Sequence, residues 1–399
     1  MKMADKIWTK EFAGLFVANI LIAIAFYFLL ATLPVYFTKY IHTNGLQTGI
    51  LLASYSVAAI ITRPFTGYFI DVYGRKWIYL TALCVMTLLI NFYPWVGGFF
   101  LMFILRFSHG LMWGIISTTG STIAVDMLPP KKRGQGVGIY GLSMTLAMAV
   151  GPLIGLSIIQ RLSYFWLFSI GFALSLAGVV IAFSIRYPMY LNYKKSEFGL
   201  KSLFEKSSLP LSFNMFLLMI PYGGIISFIV LYAKELGIAS AGLFFMIYAI
   251  GVGISRLGSG KVLDRKGPDK INIFAMVLIV IGFLTLSLYR NHPGFYFSAF
   301  VIGLGNGIIF PVFQTMVTNI ARANKRGTAI STLFTAFDTG IGTGMVLIGY
   351  ISDVAGLSAA YLFSSLVSAF GLIYYLLYAG KKYSLHVEMT KMNNTQEPL

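Results

Sequence analysis

From Glu11 to Phe37 the chain reads EFAGLFVANILIAIAFYFLLATLPVYF, and Glu11 is its one charged residue. About 20 apolar residues in a helix cross the hydrocarbon core of a bilayer, so this run can span one. Apolar runs of this kind recur over residues 11–36, 47–70, 77–95, 98–122, 135–160, 163–186, 212–233, 241–262, 271–289, 294–319, 328–351 and 359–379. Inside lipid every backbone N–H and C=O must be bonded within the protein. The pattern therefore predicts an all-α membrane protein with twelve transmembrane helices. The chain is 57% hydrophobic and 11% charged, where soluble domains carry about 25% charged residues. The first run exceeds the apolar core of a signal peptide, so it reads as a retained span. Cys84 is the sole cysteine, which excludes an intrachain disulfide.

A net charge of +17 would suggest nucleic acid in a soluble protein. Its distribution gives a different meaning. Lys39, Arg161, Lys234 and Arg290 are the only Lys or Arg in one set of inter-span segments, and Arg63, Arg106 and Arg256 lie within spans. The other 23 of the 30 fall on the opposite side. The positive-inside rule then puts both termini in the cytoplasm. The excess charge encodes orientation, and no nucleic-acid partner is expected.

One charged phrase is written twice. RPFTGYFIDVYGRK (63–76) is echoed by RLGSGKVLDRKGPD (256–269), aligning Arg63 with Arg256, Gly67 with Gly260, Asp71 with Asp264 and Gly74 with Gly267, each 193 positions apart. The same offset relates KKRG (131–134) to NKRG (324–327), and Gly110, Gly114 and Gly151 to Gly303, Gly307 and Gly344. A constant register over three helix–loop regions implies duplication of a six-span unit. The expected organisation is two pseudo-symmetric six-helix bundles (1–186 and 211–380), a basic cytoplasmic linker (187–210) and a cytoplasmic tail without regular structure (381–399). A short surface helix is expected around Leu200–Phe204. Repeated six-span halves are an architecture of secondary transporters.

The repeated phrase has a physical logic. Gly67 allows close approach of helix backbones, and Gly74 suits a turn with positive φ. Asp71 sits where a lone carboxylate in the membrane is costly unless paired, and Arg75 and Lys76 follow it. Helix N-termini carry exposed N–H groups and partial positive charge. Span eleven begins on the same side near Gly327, so Asp71 seated there would close a latch between the halves.

GYFIDVYGRK resembles the loop 2–3 signature of the major facilitator superfamily. RFSHGLMWG (106–114) is similar to that family's fourth-helix motif, with His109 where Gln is common, and AVGPLIG (149–155) resembles its fifth-helix Gly-Pro-x-x-Gly motif. The last motif is associated with the twelve-span drug:proton antiporter branch. The resemblance covers nearly the whole chain and implies a major facilitator fold working by alternating access, with no cofactor and no bound metal. It also implies that Asp126, at the inner end of span four, joins the latch through Arg75. The cavity wall would come from Asn19, Tyr27, Trp113, Tyr222, Phe228, Asn306, Phe310 and Gln314. Gly151, Pro152 and Gly155 read as helix-packing residues.

Few titratable groups lie deep in the spans. Arg106 and His109, three apart, share a helix face, and Asp338 lies near the midplane of span eleven at about 1.5 Å per residue. Intramembrane ionisable residues are functional candidates, and these three are the candidates for proton coupling. The expected function is proton-coupled export of a small organic or amphiphilic solute (drug-like, siderophore or sugar derivative) by a monomer in the cell (inner) membrane. Its partners would be that solute, protons and the lipid bilayer. A nutrient importer of the same fold and a non-transporting membrane sensor are the alternatives. No G-x-x-x-x-G-K-[ST], H-E-x-x-H or G-x-S-x-G sequence occurs, so neither an ATP-driven engine nor an enzyme is expected.

Overall fold

The structure is a computed structural model describing residues 6–43, 45–188, 199, 202–238 and 241–396. The described chain contains α1 (Lys10–Tyr36), α2 (Gly45–Tyr73), α3 (Arg75–Phe92), α4 (Phe99–Met127), α5 (Arg133–Arg161), α6 (Tyr164–Ser184), α7 (Leu209–Glu235), α8 (Gly242–Lys266), α9 (Pro268–Leu288), α10 (His292–Ile320), α11 (Arg326–Tyr374) and α12 (Gly380–Gln396). Ten stretches among the described residues are long and apolar enough to cross a membrane. One of them, Ala323–Glu388, is far longer than one crossing. Gly356, at φ 85°, breaks α11 inside it, so this stretch supplies two spans. With α5, 29 residues long, the total is the expected twelve.

The chain groups into two units. The first comprises residues 1–130 and 140–203, and the second comprises residues 131–139 and 204–399. The opening residues of α5 thus group with the second unit and the rest of that helix with the first. Within the first unit α1 packs on α6, α2 on α4, and α3 on both α4 and α6. Within the second, α7 packs on α11, α8 on α10, and α9 on both α10 and α11. The pairing scheme is the same in both.

The repeat extends to single contacts. A Cβ at Gly110 would strike the Tyr55 carbonyl, and one at Gly303 would strike the Tyr248 carbonyl, 193 positions on in both partners. Gly114 likewise lies on Ala59 and Thr62, and Gly307 on Val252 and Ser255. Gly151 approaches Tyr27 and Gly344 approaches Ile220, again at that offset. Lipid tails give helices no hydrophobic reason to associate, so close backbone packing through small residues contributes much of the attraction. The paired turns match too: Gly74 at φ 93° precedes α3 and Gly267 at φ 78° precedes α9. Both sit in the region of φ that glycine alone enters freely.

Two features depart from the sequence reading. The last segment is helical from Gly380 to Gln396, not an irregular tail. A π-helical turn at Tyr375–Ala379 carries the last span directly into it, Tyr383 is buried, and Lys, Leu, Glu and Met favour helix. These helices also overrun the membrane-sized windows at their C-terminal ends, so Asp71 and Asp264 belong to α2 and α8 themselves. The surface helix expected around Leu200–Phe204 falls partly outside the described residues. Beyond it, Glu205 N–H donates to Thr332 Oγ1 at 3.0 Å, tying the end of the linker to α11.

Candidate functional site

At the end of α8, Gly260 and Asp264 lie one turn apart against the start of α5. A Cβ at Gly260 would meet the backbone of Gln135 and Gly134, so only a glycine lets the two helices come this close. One turn on, Asp264 Oδ1 accepts from Gly134 N–H at 2.8 Å and Oδ2 from Gln135 N–H at 2.9 Å. These are first-turn amides with no acceptor of their own within the helix, and they carry the positive end of its dipole. Beside them Arg133 Nη1 donates to Asn319 Oδ1 at 2.7 Å. A carboxylate seated on a helix N-terminus therefore exists here, in the second copy of the phrase.

The first copy is built around Arg75. Its Nη2 lies 3.2 Å from Asp71 Oδ1, its Nε 3.2 Å from Asp126 Oδ2, and its Nη1 donates to the Ile70 carbonyl at 3.2 Å. All three charged side chains are largely buried. Arg75 thus bridges the two acids. Gly67 is buried in α2. Lys76 turns away, its Nζ 5.1 Å from the Trp77 ring centre, so the structure does not bring it to the acids.

Arg106 and His109 are both about 1% exposed. A residue not singled out in the sequence joins them: Tyr93, at the end of α3. Its hydroxyl accepts from Arg106 Nη1 at 3.4 Å and lies 3.0 Å from His109 Nδ1. Arg106 Nε donates to the Leu51 carbonyl at 3.3 Å, and the guanidinium lies 4.6 Å from the Tyr55 ring centre. Tyr36 donates to the Tyr93 carbonyl at 3.0 Å, and Phe168 stacks on the Tyr93 ring. Asp338 lies on α11 in the second unit, and Arg106 and His109 lie on α4 in the first.

The expected cavity residues sort by contact. Trp113 stacks on Phe26 at 4.5 Å, and Phe26 stacks on Tyr55 at 5.3 Å. Tyr222 stacks on Tyr248, whose hydroxyl accepts from Asn306 at 3.1 Å. Phe310 packs on Phe334 and Phe337. Gln314 is buried with Nε2 unpartnered, and Asn306 Oδ1 is also unpartnered. Asn19 donates to Ser143 Oγ at 2.6 Å, which ties α1 to α5. Phe228 lies against Gly349. Gly151 and Gly155 seat α5 on Tyr27 and Phe28, and Pro152 lies between them on the same helix.

Two duplicated, all-helical, membrane-spanning units with a buried arginine on the fourth span define a polytopic transporter. The family model for the Major Facilitator Superfamily matches residues 15–292 and again residues 211–391. The chain belongs to that superfamily. Among its relatives, the "Staphylopine export protein" of Staphylococcus aureus is 26% identical, over 79% of this chain and 82% of that one. The "Multidrug resistance protein MdtG" of Proteus mirabilis is 25% identical, over 83% of this chain and 85% of that one. Among solved structures, the human organic anion transporter MFSD10 superposes with a TM-score of 0.80 at 16% identity, covering 92% of this chain and 98% of that one. The Escherichia coli fucose:proton symporter FucP gives 0.74 at 16% identity, covering 93% and 98%. These structural likenesses concern the fold.

Proposed function

We propose that this protein is a proton-coupled exporter of a small organic or amphiphilic solute, working by alternating access in the cell (inner) membrane with both termini cytoplasmic. It works as a monomer. The observation that carries this reading is the seating of Asp264 on the N-terminus of α5, together with the repeat that places Asp71 at the equivalent position. Asp71, its counterpart 193 positions earlier, is proposed for the same latch role. In this reading Asp264 leaves its helix tip when the inner gate opens. The direction of transport follows the fifth-helix glycines and the export proteins among the relatives.

Asp338 and His109 carry the coupling proton, with Arg106 setting the field around His109. Protonation from outside competes with the solute and drives the return step. Inside-out vesicles with an acid lumen test this, with Hoechst 33342 and ethidium as probes. An exporter accumulates the probe in the lumen as protons leave, whereas an importer carries it out with the protons. Asp338→Asn and His109→Ala, separately and together, are expected to abolish gradient-driven accumulation. Unchanged accumulation in the double variant removes these residues from the proton path, and outward movement of probe reverses the direction assigned here.

A further inference from the structure

The first unit holds a buried cation with no anion beside it. Its described acids are Glu11, in the first turn of α1, and Asp71 and Asp126, both paired with Arg75. Arg106 sits seven residues into α4, about 10 Å from that helix's outer end at 1.5 Å per residue. Its partners are a carbonyl, a tyrosine hydroxyl and an aromatic face. None of these neutralises a guanidinium. A charge in the membrane is costly unless paired, and Arg106 Nη2 makes no hydrogen bond at all.

Two more buried polar atoms in the same cluster are unpartnered, His109 Nε2 and Tyr55 Oη. When Arg106 donates to the Tyr93 oxygen and Tyr93 donates to His109 Nδ1, the neutral imidazole carries its proton on Nε2. The cluster then presents donors from Arg106, His109 and Tyr55 with no acceptor for them. Each unsatisfied buried donor costs about 1–3 kcal/mol, and more when charged. A water molecule would satisfy a donor but not the charge. A carboxylate supplies both, with two oxygens that accept from several donors and match a guanidinium.

We propose that Arg106, His109 and Tyr55 form an anion-binding subsite within the first unit, and that the solute is an organic carboxylate. This rests on the reading of the chain as a transporter of a small organic solute. The apolar body of the solute has a platform at hand, since Tyr55 continues through Phe26 to Trp113 in a stacked aromatic row. The ligand class is therefore a carboxylate on an aromatic or apolar body.

Calorimetry on the purified full-length protein in detergent tests it with 2-naphthoate and 2-naphthamide, which share shape and differ in charge. The wild-type protein is expected to bind the carboxylate at least about tenfold more tightly than the amide, as expected where one buried charge pair is made or lost. Arg106→Gln should bring the ratio to about one, and Tyr55→Phe should lower it several-fold. The wild-type comparison stands even if a variant fails to fold. Equal binding of the two probes, binding of neither, or a ratio that survives Arg106→Gln overturns the subsite. Gradient-driven accumulation of 2-naphthoate itself, beside the cationic probes, in the inside-out vesicles distinguishes the two readings. Accumulation of the cationic probes without charge discrimination in binding overturns the subsite and leaves export standing. Discrimination in binding without accumulation of 2-naphthoate or of the cationic probes does the reverse.

Discussion

Asp264 seats one carboxylate oxygen on the backbone N–H of Gly134 at 2.8 Å, and its other oxygen reaches the next amide along. The contact joins the end of α8 to the first turn of α5, and it depends on charge as well as on hydrogen bonding. Asp264→Asn keeps the shape, loses the charge and can satisfy only one of the two amides as acceptor. A charge-assisted hydrogen bond to a buried donor is worth about 1.5–3 kcal/mol. The variant is expected to export several-fold more slowly, with the deficit measured as initial rate of probe accumulation in vesicles. An unaltered rate would mean the contact plays no part in the cycle.

Arg75 pairs with both Asp71 and Asp126, at 3.2 Å each. Removing one member of a buried ion pair leaves an uncompensated charge and costs about 3–5 kcal/mol. Arg75→Ala should therefore lower the melting temperature markedly. Arg75→Lys should recover part of the loss, because a point charge cannot reach both carboxylates as the guanidinium does. The measurement is thermal unfolding in detergent, followed by light scattering.

Tyr93 ties Arg106 to His109 through one hydroxyl. Tyr93→Phe keeps the ring stacked on Phe168 and strands two polar atoms, at about 1–3 kcal/mol each. A lower melting temperature is expected, together with an altered pH dependence of probe accumulation, since one side of the imidazole loses its partner. A melting shift without a change in the pH profile would make Tyr93 a packing residue only.

The close-packing glycines separate cleanly from the idle ones. At Gly344 an added Cβ overlaps the Ile220 carbonyl, whereas at Gly342, two residues earlier on the same helix, it meets nothing within 4 Å. Gly344→Ala is expected to destabilise the protein. Gly342→Ala is expected to be neutral or to gain about 0.5–1 kcal/mol from helix propensity. Gly151→Leu, at the equivalent place in the first unit, should impair transport as well as stability.

The glycines and the repeated Arg, Gly, Asp and Gly were legible because membrane packing demands small residues, and a duplication keeps them in register. Their partners were not legible: a carbonyl such as that of Tyr55 or Tyr248 has no side-chain signature. Asp264 appeared in the sequence only as a degenerate echo of Asp71, since Pro268 and Asp269 stand where Arg75 and Lys76 follow in the first copy. The structure shows that this echo seats its carboxylate on a helix tip, with the Arg133 charge close by. Tyr93 could not be picked out because aromatic residues make up 16% of the chain, and its role depends on α3 ending beside α4. The helix at Gly380–Gln396 was hidden by polarity, which argues against burial but not against helix. Tyr383 gives it a buried anchor there.

Hydrogen–deuterium exchange at the amides of Gly134 and Gln135 tests the central claim most directly, because Asp264 accepts from both. With wild-type protein in proteoliposomes, imposing a pH gradient in the presence of transported probe should speed exchange in the peptide covering 131–139, and Asp264→Asn should speed it without either. Exchange that stays equally slow in the resting, cycling and Asp264→Asn proteins would contradict a latch that opens during transport.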